Sequence, residues 1–226
     1  MTQNKAMSSV VMVFLKDFKS EIRTRYAINA LLMFVVTTLS IVLFAIGSES
    51  VSTDVLSGVL WIVIFFSSMS GLSRTFVSEE ERGTVMTLQL LARPLPIYFG
   101  KLLFNVVLMG LLNTVAVSLY LVFITAFVVK SMSIFILTLV LGTLGLASAA
   151  TIIAAIISKA NTKGTLYPVL SFPILLPLLL TVINATRLAV EGAALTEAMG
   201  SFQVLVSYVI VITMTSYLVF EFIWNE

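Results

Sequence analysis

Six apolar runs, each long enough to cross a lipid bilayer, govern what this chain can fold into. A hydrocarbon core of about 30 Å needs roughly 20 consecutive apolar residues in helical form. Runs of that order cover about 27–47, 56–77, 102–129, 133–157, 166–185 and 204–223 of the 226 residues. With 59% hydrophobic and 11% charged residues, a water-soluble domain is excluded. Lipid offers the backbone no hydrogen-bond partner, so spanning segments must be helices or closed barrels. A barrel would show segments of about 10 residues with alternating polarity, and the runs show no such alternation. The predicted fold is an all-α integral membrane protein, one permease-like domain over residues 1–226 with six spans.

Basic residues assign the orientation. With the N-terminus inside, the inner segments hold Lys5, Lys16, Lys19, Arg23, Arg25, Arg74, Arg82, Arg93, Lys101, Lys159 and Lys163, whereas only Lys130 and Arg187 fall outside. Cytoplasmic loops carry the excess of Lys and Arg, so both termini are predicted to be cytoplasmic. The outer segments are acidic instead, with Glu49, Asp54, Glu191 and Glu197. The first run lies some 26 residues into the chain with five more behind it, unlike a cleaved signal peptide. The net charge of +2 reflects topology and carries no nucleic-acid reading.

The residue inventory removes whole classes of chemistry. The chain has no cysteine and no histidine, which excludes disulfides, thiolate chemistry and imidazole acid–base catalysis. The usual axial ligands of a haem are absent with them, leaving Met or Tyr. Arg74 and Glu221 lie near inner span ends, where a long side chain can snorkel, and the deep positions carry only Ser, Thr, Asn, Tyr and Gly. A bundle without buried ionisable groups has no proton relay of its own, so energy for any work has to come from a partner. Nor is there a nucleotide site: Gly100-Lys101 is followed by Leu102 and lacks the upstream glycine of a phosphate loop.

Residues 1–26 form a distinct amphipathic element. Val11, Phe14, Leu15, Phe18 and Ile22 recur at helical spacing, with Lys16, Lys19 and Arg23 on another side. Such a helix lies in the inner interface as an elbow before the first span, its cations toward anionic headgroups. Glu21 and Arg25 stand four apart in the order that favours an ion pair. It is either a plain anchor or a gate element beside a substrate path.

One polar stretch separates the second and third runs: SEEERGTVMTLQLLARPLPIYFGK, from Ser78 to Lys101. Its spacing predicts a helix over Glu79 to Leu91 of about three turns, with Glu79, Glu80 and Glu81 near the positive end of the helix dipole. Pro94 and Pro96 stop it. Met86 and Leu90 share one face, widened by Val85, Leu88 and Leu91, which would rest on the bundle while Glu79, Glu80 and Arg82 face water or a partner. Gly83 permits a bend or close approach. The competing reading is a solvated connector whose acids pair with Arg74 or Arg82.

Other features have mainly structural readings. Pro168, Pro173 and Pro177 fall in one predicted helix, where each removes a backbone hydrogen bond. Kinks, a flexible span or a cavity lining follow from that, beside the plainer reading of a static bend. Gly142, Gly145, Ala147, Ser148, Ala149, Ala150, Thr151 and Ala154 make the fourth span slim for close helix packing. Residues 186–201 predict short interfacial helices outside. Trp61, Trp224, Tyr26, Tyr98, Tyr167 and Tyr208 lie near span ends and read as aromatic belts.

The succession of acidic cluster, Gly-Thr, apolar helix, Pro and Gly-Lys resembles the coupling region of ABC-2-type membrane subunits. More specifically, FLKDFKSEIRTRYAINALLMFVV from Phe14, GLSRTFVSEEERGTVMTLQLLARPLPIYFGK from Gly71 and KGTLYPVLSFPILLPLLL from Lys163 resemble the heme exporter protein B family. The resemblance implies a homodimeric permease in a bacterial inner membrane, two copies of a cytoplasmic ABC ATPase, a haem-handling membrane protein and a periplasmic haem chaperone. It implies that Glu79, Glu80, Glu81, Arg82, Gly83, Met86, Leu90 and Pro94 form the ATPase-coupling loop. Haem enters only as the transported or handled species, with no cofactor bound by this chain and no catalytic or metal-binding residue. The alternatives are an ABC-2 exporter subunit for a lipid, polysaccharide or drug, and a non-transporting scaffold for assembly factors.

Overall fold

The computed structural model describes residues 2–46, 51–72, 74–159 and 163–225. All regular structure among them is helical. Helix α1 (Thr2–Thr24) is the elbow and α2 (Tyr26–Ile46) the first apolar run. Next come α3 (Thr53–Leu72), α4 (Arg74–Glu81) and α5 (Val85–Leu91). The long helices α6 (Pro94–Phe123), α7 (Met132–Ser158), α8 (Lys163–Glu191) and α9 (Leu195–Asn225) complete the chain. Five helical stretches are long and apolar enough to cross a membrane: Thr53–Glu81, Pro94–Phe123, Met132–Ser158, Val169–Glu191 and Leu195–Trp224. In α2 the described apolar stretch is the shorter Leu32–Ala45.

Several boundaries depart from the sequence reading for local reasons. Pro94 and Pro96 do stop α5, but Pro94 also begins α6, eight residues before the span edge expected at 102. A proline at the first helical position sacrifices no intrahelical bond, and its fixed φ suits the turn. The expected extension of that span to 129 fails, because α6 ends at Phe123 and the chain turns through 124–131. No separate interfacial helices occupy 186–201: α8 runs on to Glu191, Gly192 turns the chain at φ 85°, and α9 starts at Leu195. At the elbow, Arg25 adopts φ 50°, a left-handed bend that a non-glycine residue enters at a cost of about 1–2 kcal/mol. The Glu21 carboxylate does not pair with Arg25; it accepts the Ile28 amide at 3.0 Å and so caps the start of α2.

Helix α7 is the hub, in contact with α3, α4, α6, α8 and α9. Its small residues are buried as a stripe, as their spacing predicted. At Gly142 an added Cβ would stand 2.3 Å from the Trp61 ring, and at Gly145 one would stand 2.7 Å from Leu178. Backbones approach where side chains are missing, the usual solution for helix packing in lipid. Trp61 is therefore a core residue, not a belt residue: it is fully buried, and its indole N–H donates to Thr186 Oγ1 at 2.8 Å. Tyr98 and Trp224 are buried as well, whereas Tyr208 donates to the Ile174 carbonyl at 2.9 Å. The side chains of Tyr26 and Tyr167 lie outside the described residues. Deep amides are paired across helices, Asn105 Nδ2 to Thr151 Oγ1 and Asn113 Nδ2 to Thr143 Oγ1, each at 2.8 Å. Such bonds average about 0.6 kcal/mol in membranes, so their main value is register.

The bundle has two chemically different ends. One gathers α1, α4, α5, the start of α6, Lys159 of α7 and the end of α9. The other joins Asp54 to Arg187 at 3.4 Å and ties the 124–131 turn to α8 through two amides, Lys130 and Ser131, that donate to the Ala189 carbonyl.

Candidate functional site: the charged end of the bundle

The polar stretch after α3 folds as two short helices joined by a tight turn, in place of the single three-turn helix expected. Helix α4 ends at Glu81; the Gly83 amide then bonds the Glu80 carbonyl at 3.1 Å and the Thr84 amide reaches back to Glu79 at 3.0 Å. This pair of reversed bonds is a Schellman cap, which requires a left-handed residue. Gly83, at φ 65°, supplies it without the penalty of a Cβ. The chain then reverses into α5.

The exposure of α5 is the opposite of what its apolar face suggested. Leu88 is buried and Val85 half-buried, but Met86 and Leu90 are 77% and 89% exposed. The helix is anchored by Leu88 and by Gln89, whose Nε2 donates to the Trp224 carbonyl at 2.9 Å. The side chain of Leu91 lies outside the described residues. Met86 and Leu90 are thus left projecting from a short, polar-flanked element.

The three glutamates have three different environments. Glu81 pairs with Arg74 at 2.7 Å on the surface, as the connector reading anticipated, and Glu80 stands 4.0 Å from Lys159. Glu79 does not face water. It is buried, accepts from Lys16 and from the Thr84 hydroxyl, and lies 3.1 Å from Lys101 Nζ. Arg82 is exposed, as expected.

Lys101 is the centre of this arrangement. Its side chain is 1% exposed, and its ammonium reaches Thr75 O at 2.9 Å, Glu79 Oε1 at 3.1 Å and Asp17 Oδ2 at 3.2 Å. An ammonium has three N–H donors, and all three find acceptors. The Phe76 ring lies 5.2 Å beneath it, a cation–π contact. Lys16 closes the circle by also reaching Asp17 Oδ1 at 3.2 Å. Two bases and two acids balance, so the burial of each charge is matched by an opposite one.

This cluster lies beyond the apolar part of α3, and it biases the titration of Glu79 and Lys16. Burial alone would raise the Glu79 carboxyl, but the Lys101 charge and the bonds from Lys16 and Thr84 outweigh that and hold it at about 2. Burial likewise opposes the charge on Lys16, yet Asp17 and Glu79 prevail and push its ammonium above the usual value.

Two packing contacts reinforce the charges. Immediately before Lys101, an added Cβ on Gly100 would lie 2.7 Å from Val13 Cβ and 2.9 Å from the Val10 carbonyl, so α1 rests directly on the α6 backbone. Next to it, Phe76, Tyr98, Phe220 and Trp224 form an aromatic cluster with ring centroids 5.0–5.8 Å apart, which fastens α4 and α6 to the end of α9. Sequence reading missed this role of Lys101, and it assigned Lys16 to headgroups and passed over Asp17. The available signals were Asp17 in helical register with Val10 and Val13, and a lysine immediately before the third apolar run.

The prolines of α8 do not converge on this site. Pro173 and Pro177 are exposed within a continuous helix, and the side chain of Pro168 lies outside the described residues.

Long apolar helices, an amphipathic elbow and a pinned polar hairpin at one end, with all regular structure among the described residues helical, define a multi-pass membrane protein. The family model described as CcmB protein matches residues 8–222. The chain belongs to this family, the heme exporter protein B family, whose members are membrane subunits of haem export in cytochrome c maturation. No curated protein matches the chain significantly.

Proposed function

We propose that this chain is the membrane-spanning permease subunit of an ABC transporter acting in haem export or haem-chaperone release for c-type cytochrome maturation. In this reading a separate cytoplasmic ATPase hydrolyses the ATP and docks on the hairpin of α4, its turn and α5, the residues Glu79 to Pro94. The observation that carries the docking is the exposure of Met86 and Leu90 on a helix whose other side is anchored. Apolar side chains held out by a rigid support, rimmed by Arg82 and Arg93, suit a hydrophobic anchor with a polar rim.

The charged end is then the cytoplasmic one, with both termini there and six crossings of the bacterial inner membrane. Its excess of lysine and arginine supports that orientation. The subunit works as a homodimer with two ATPase copies, a haem-handling membrane protein and a periplasmic haem chaperone. Closure of the ATPase on ATP favours one packing of the helices over another, a population shift driven by ligand. Pro168, Pro173 and Pro177 supply compliance in α8 during that change.

The test is the double variant Met86→Ser/Leu90→Ser, expressed in place of the native chain. It is expected to accumulate in the membrane at native level, to lose co-purification of the ATPase and to lose c-type cytochromes. Native ATPase retention and native cytochrome content in that variant would refute the docking assignment.

A further inference from the structure

We infer that Lys101 and Glu79 are positioning residues for energy coupling: with Asp17 and Lys16 they lock α1, the α4–turn–α5 hairpin and the start of α6 into one rigid lever. A displacement imposed on α5 is then delivered to the elbow and to α6 together. The inference rests on the reading of α5 as the ATPase dock.

The geometry leaves no slack between α5 and Lys101. Gly83 is the position where a hinge would be sought, but the turn is closed by the Gly83 and Thr84 amide bonds to α4. The Thr84 hydroxyl also donates to the Glu79 carboxylate, so the start of α5 and the buried acid move together. From Glu79 the connection passes to Lys101 on α6 and to Lys16 on α1. Asp17 links the same two bases from the α1 side. Separating any of the three elements strands an ammonium that is 1% exposed, or a buried carboxylate, without its counterion. The contact of Val13 with Gly100 closes the same joint sterically.

The consequence reaches the lipid. Val11, Met12, Leu15 and Ile22 remain exposed on α1, on the side away from the contact with Gly100. An elbow fixed to the dock therefore cannot act as a passive anchor; it is displaced within the interface whenever α5 is displaced.

The experiment uses the complex purified with its ATPase and compares three chains. The first, Asp17→Asn/Glu79→Gln/Lys101→Met, removes three of the four charges while keeping similar shapes and leaves the half-exposed Lys16 able to reach water. It is expected to retain the ATPase at native ratio but to lose stimulation of ATP turnover by about fivefold or more, the scale of one coupling interaction. The second, Val13→Cys/Gly100→Cys, bridges α1 to α6 in a chain that has no other cysteine. The 2.7 Å between the two Cβ positions must open by about 1 Å to reach disulfide geometry. Because the side chain added at Gly100 itself crowds α1, the reduced pair is expected to couple weakly, and oxidation on the native background is expected to bring turnover to that of the native chain. The third chain combines both sets, and oxidation is expected to restore its coupling.

Normal coupling in the neutral variant, or arrest of turnover by the disulfide on the native background, would overturn the lever. Where the neutral variant fails to accumulate, the native-background disulfide decides alone: turnover at the native level supports the lever and arrest refutes it. Failure of the dock reads differently, as retention of the ATPase by Met86→Ser/Leu90→Ser.

Discussion

The Lys101 ammonium lies 3.1 Å from Glu79 Oε1 with neither group open to water, and this contact between α6 and α4 organises the polar end of the bundle. It reconciles two properties that the sequence shows separately: a membrane helix starting with a lysine, and an acidic cluster that would otherwise be a solvated loop. A buried charge of this kind adds little net stability when paired, but it penalises every arrangement in which it is unpaired.

Removing one partner should therefore cost more than removing the whole set. Lys101→Met leaves Asp17 and Glu79 facing Lys16 alone and is expected to destabilise the protein by about 3–5 kcal/mol. Neutralising Asp17, Glu79 and Lys101 together should cost clearly less. Thermal unfolding of the two variants in the same detergent measures the difference, and equal losses would show that charge pairing is not the cause.

Glu79 and Lys16 set a pH dependence with a definite sign. The folded pKa of Glu79 is depressed to about 2 from the ordinary 4.5, so its contribution is fully present above the unfolded value and is lost as pH falls toward 2. Lys16 is raised above 10.5, so its contribution is present below 10.5 and is lost as pH rises through the higher folded value. The stability gap between the native chain and Glu79→Gln should be level at neutral pH and should shrink below about pH 4.5. A gap that is constant down to pH 2.5 would contradict the assignment.

Gly100→Ala tests the seat of the elbow. The new methyl group meets Val13 Cβ at 2.7 Å and the Val10 carbonyl at 2.9 Å, both on a helix and not at the tip of a flexible side chain. The expected outcome is a loss of about 1–3 kcal/mol and faster tryptic cleavage at Lys16, Lys19 and Arg23 as α1 lifts away. Gly110→Ala is the control, since nothing lies within 4 Å of its Cβ position. Equal trypsin resistance in all three chains would refute the close seat.

Thr186→Val removes the acceptor of the Trp61 indole and leaves a buried N–H unpaired. A loss of about 1–3 kcal/mol is expected, largely recovered by adding Trp61→Phe. Trp61 and Trp224 are the two tryptophans, so a Trp224→Phe background lets fluorescence follow Trp61 alone in the Thr186→Val chain, and thermal unfolding followed by circular dichroism reads the recovery in the double variant.

Much of this architecture was legible because lipid allows so few solutions. Length and apolarity located the five long apolar helices, and the small residues of α7 announced the helix that others would surround. The boundaries were less legible. Pro94 signals both a stop and a start, and only the packing of Ile97 and Tyr98 into the core shows that α6 begins there. Trp61 was misplaced for a similar reason: an indole near a span end suits a belt, unless a glycine such as Gly142 makes room and a hydroxyl such as that of Thr186 accepts its N–H. The polar stretch was recognised as the candidate site, but its internal pattern was not read. Helical periodicity assigns faces within one helix, whereas the burial of Glu79 depends on a turn at Gly83 and on charges from Lys16 and Lys101, 63 residues before and 22 after it.

The most direct test of the account removes the chain from its host, restores it from a plasmid, and compares covalently attached haem with b-type haem in membrane and periplasmic fractions. The account predicts a selective loss of c-type cytochromes that the native chain reverses and the Met86→Ser/Leu90→Ser chain does not. Undiminished c-type cytochromes after deletion would contradict the maturation role.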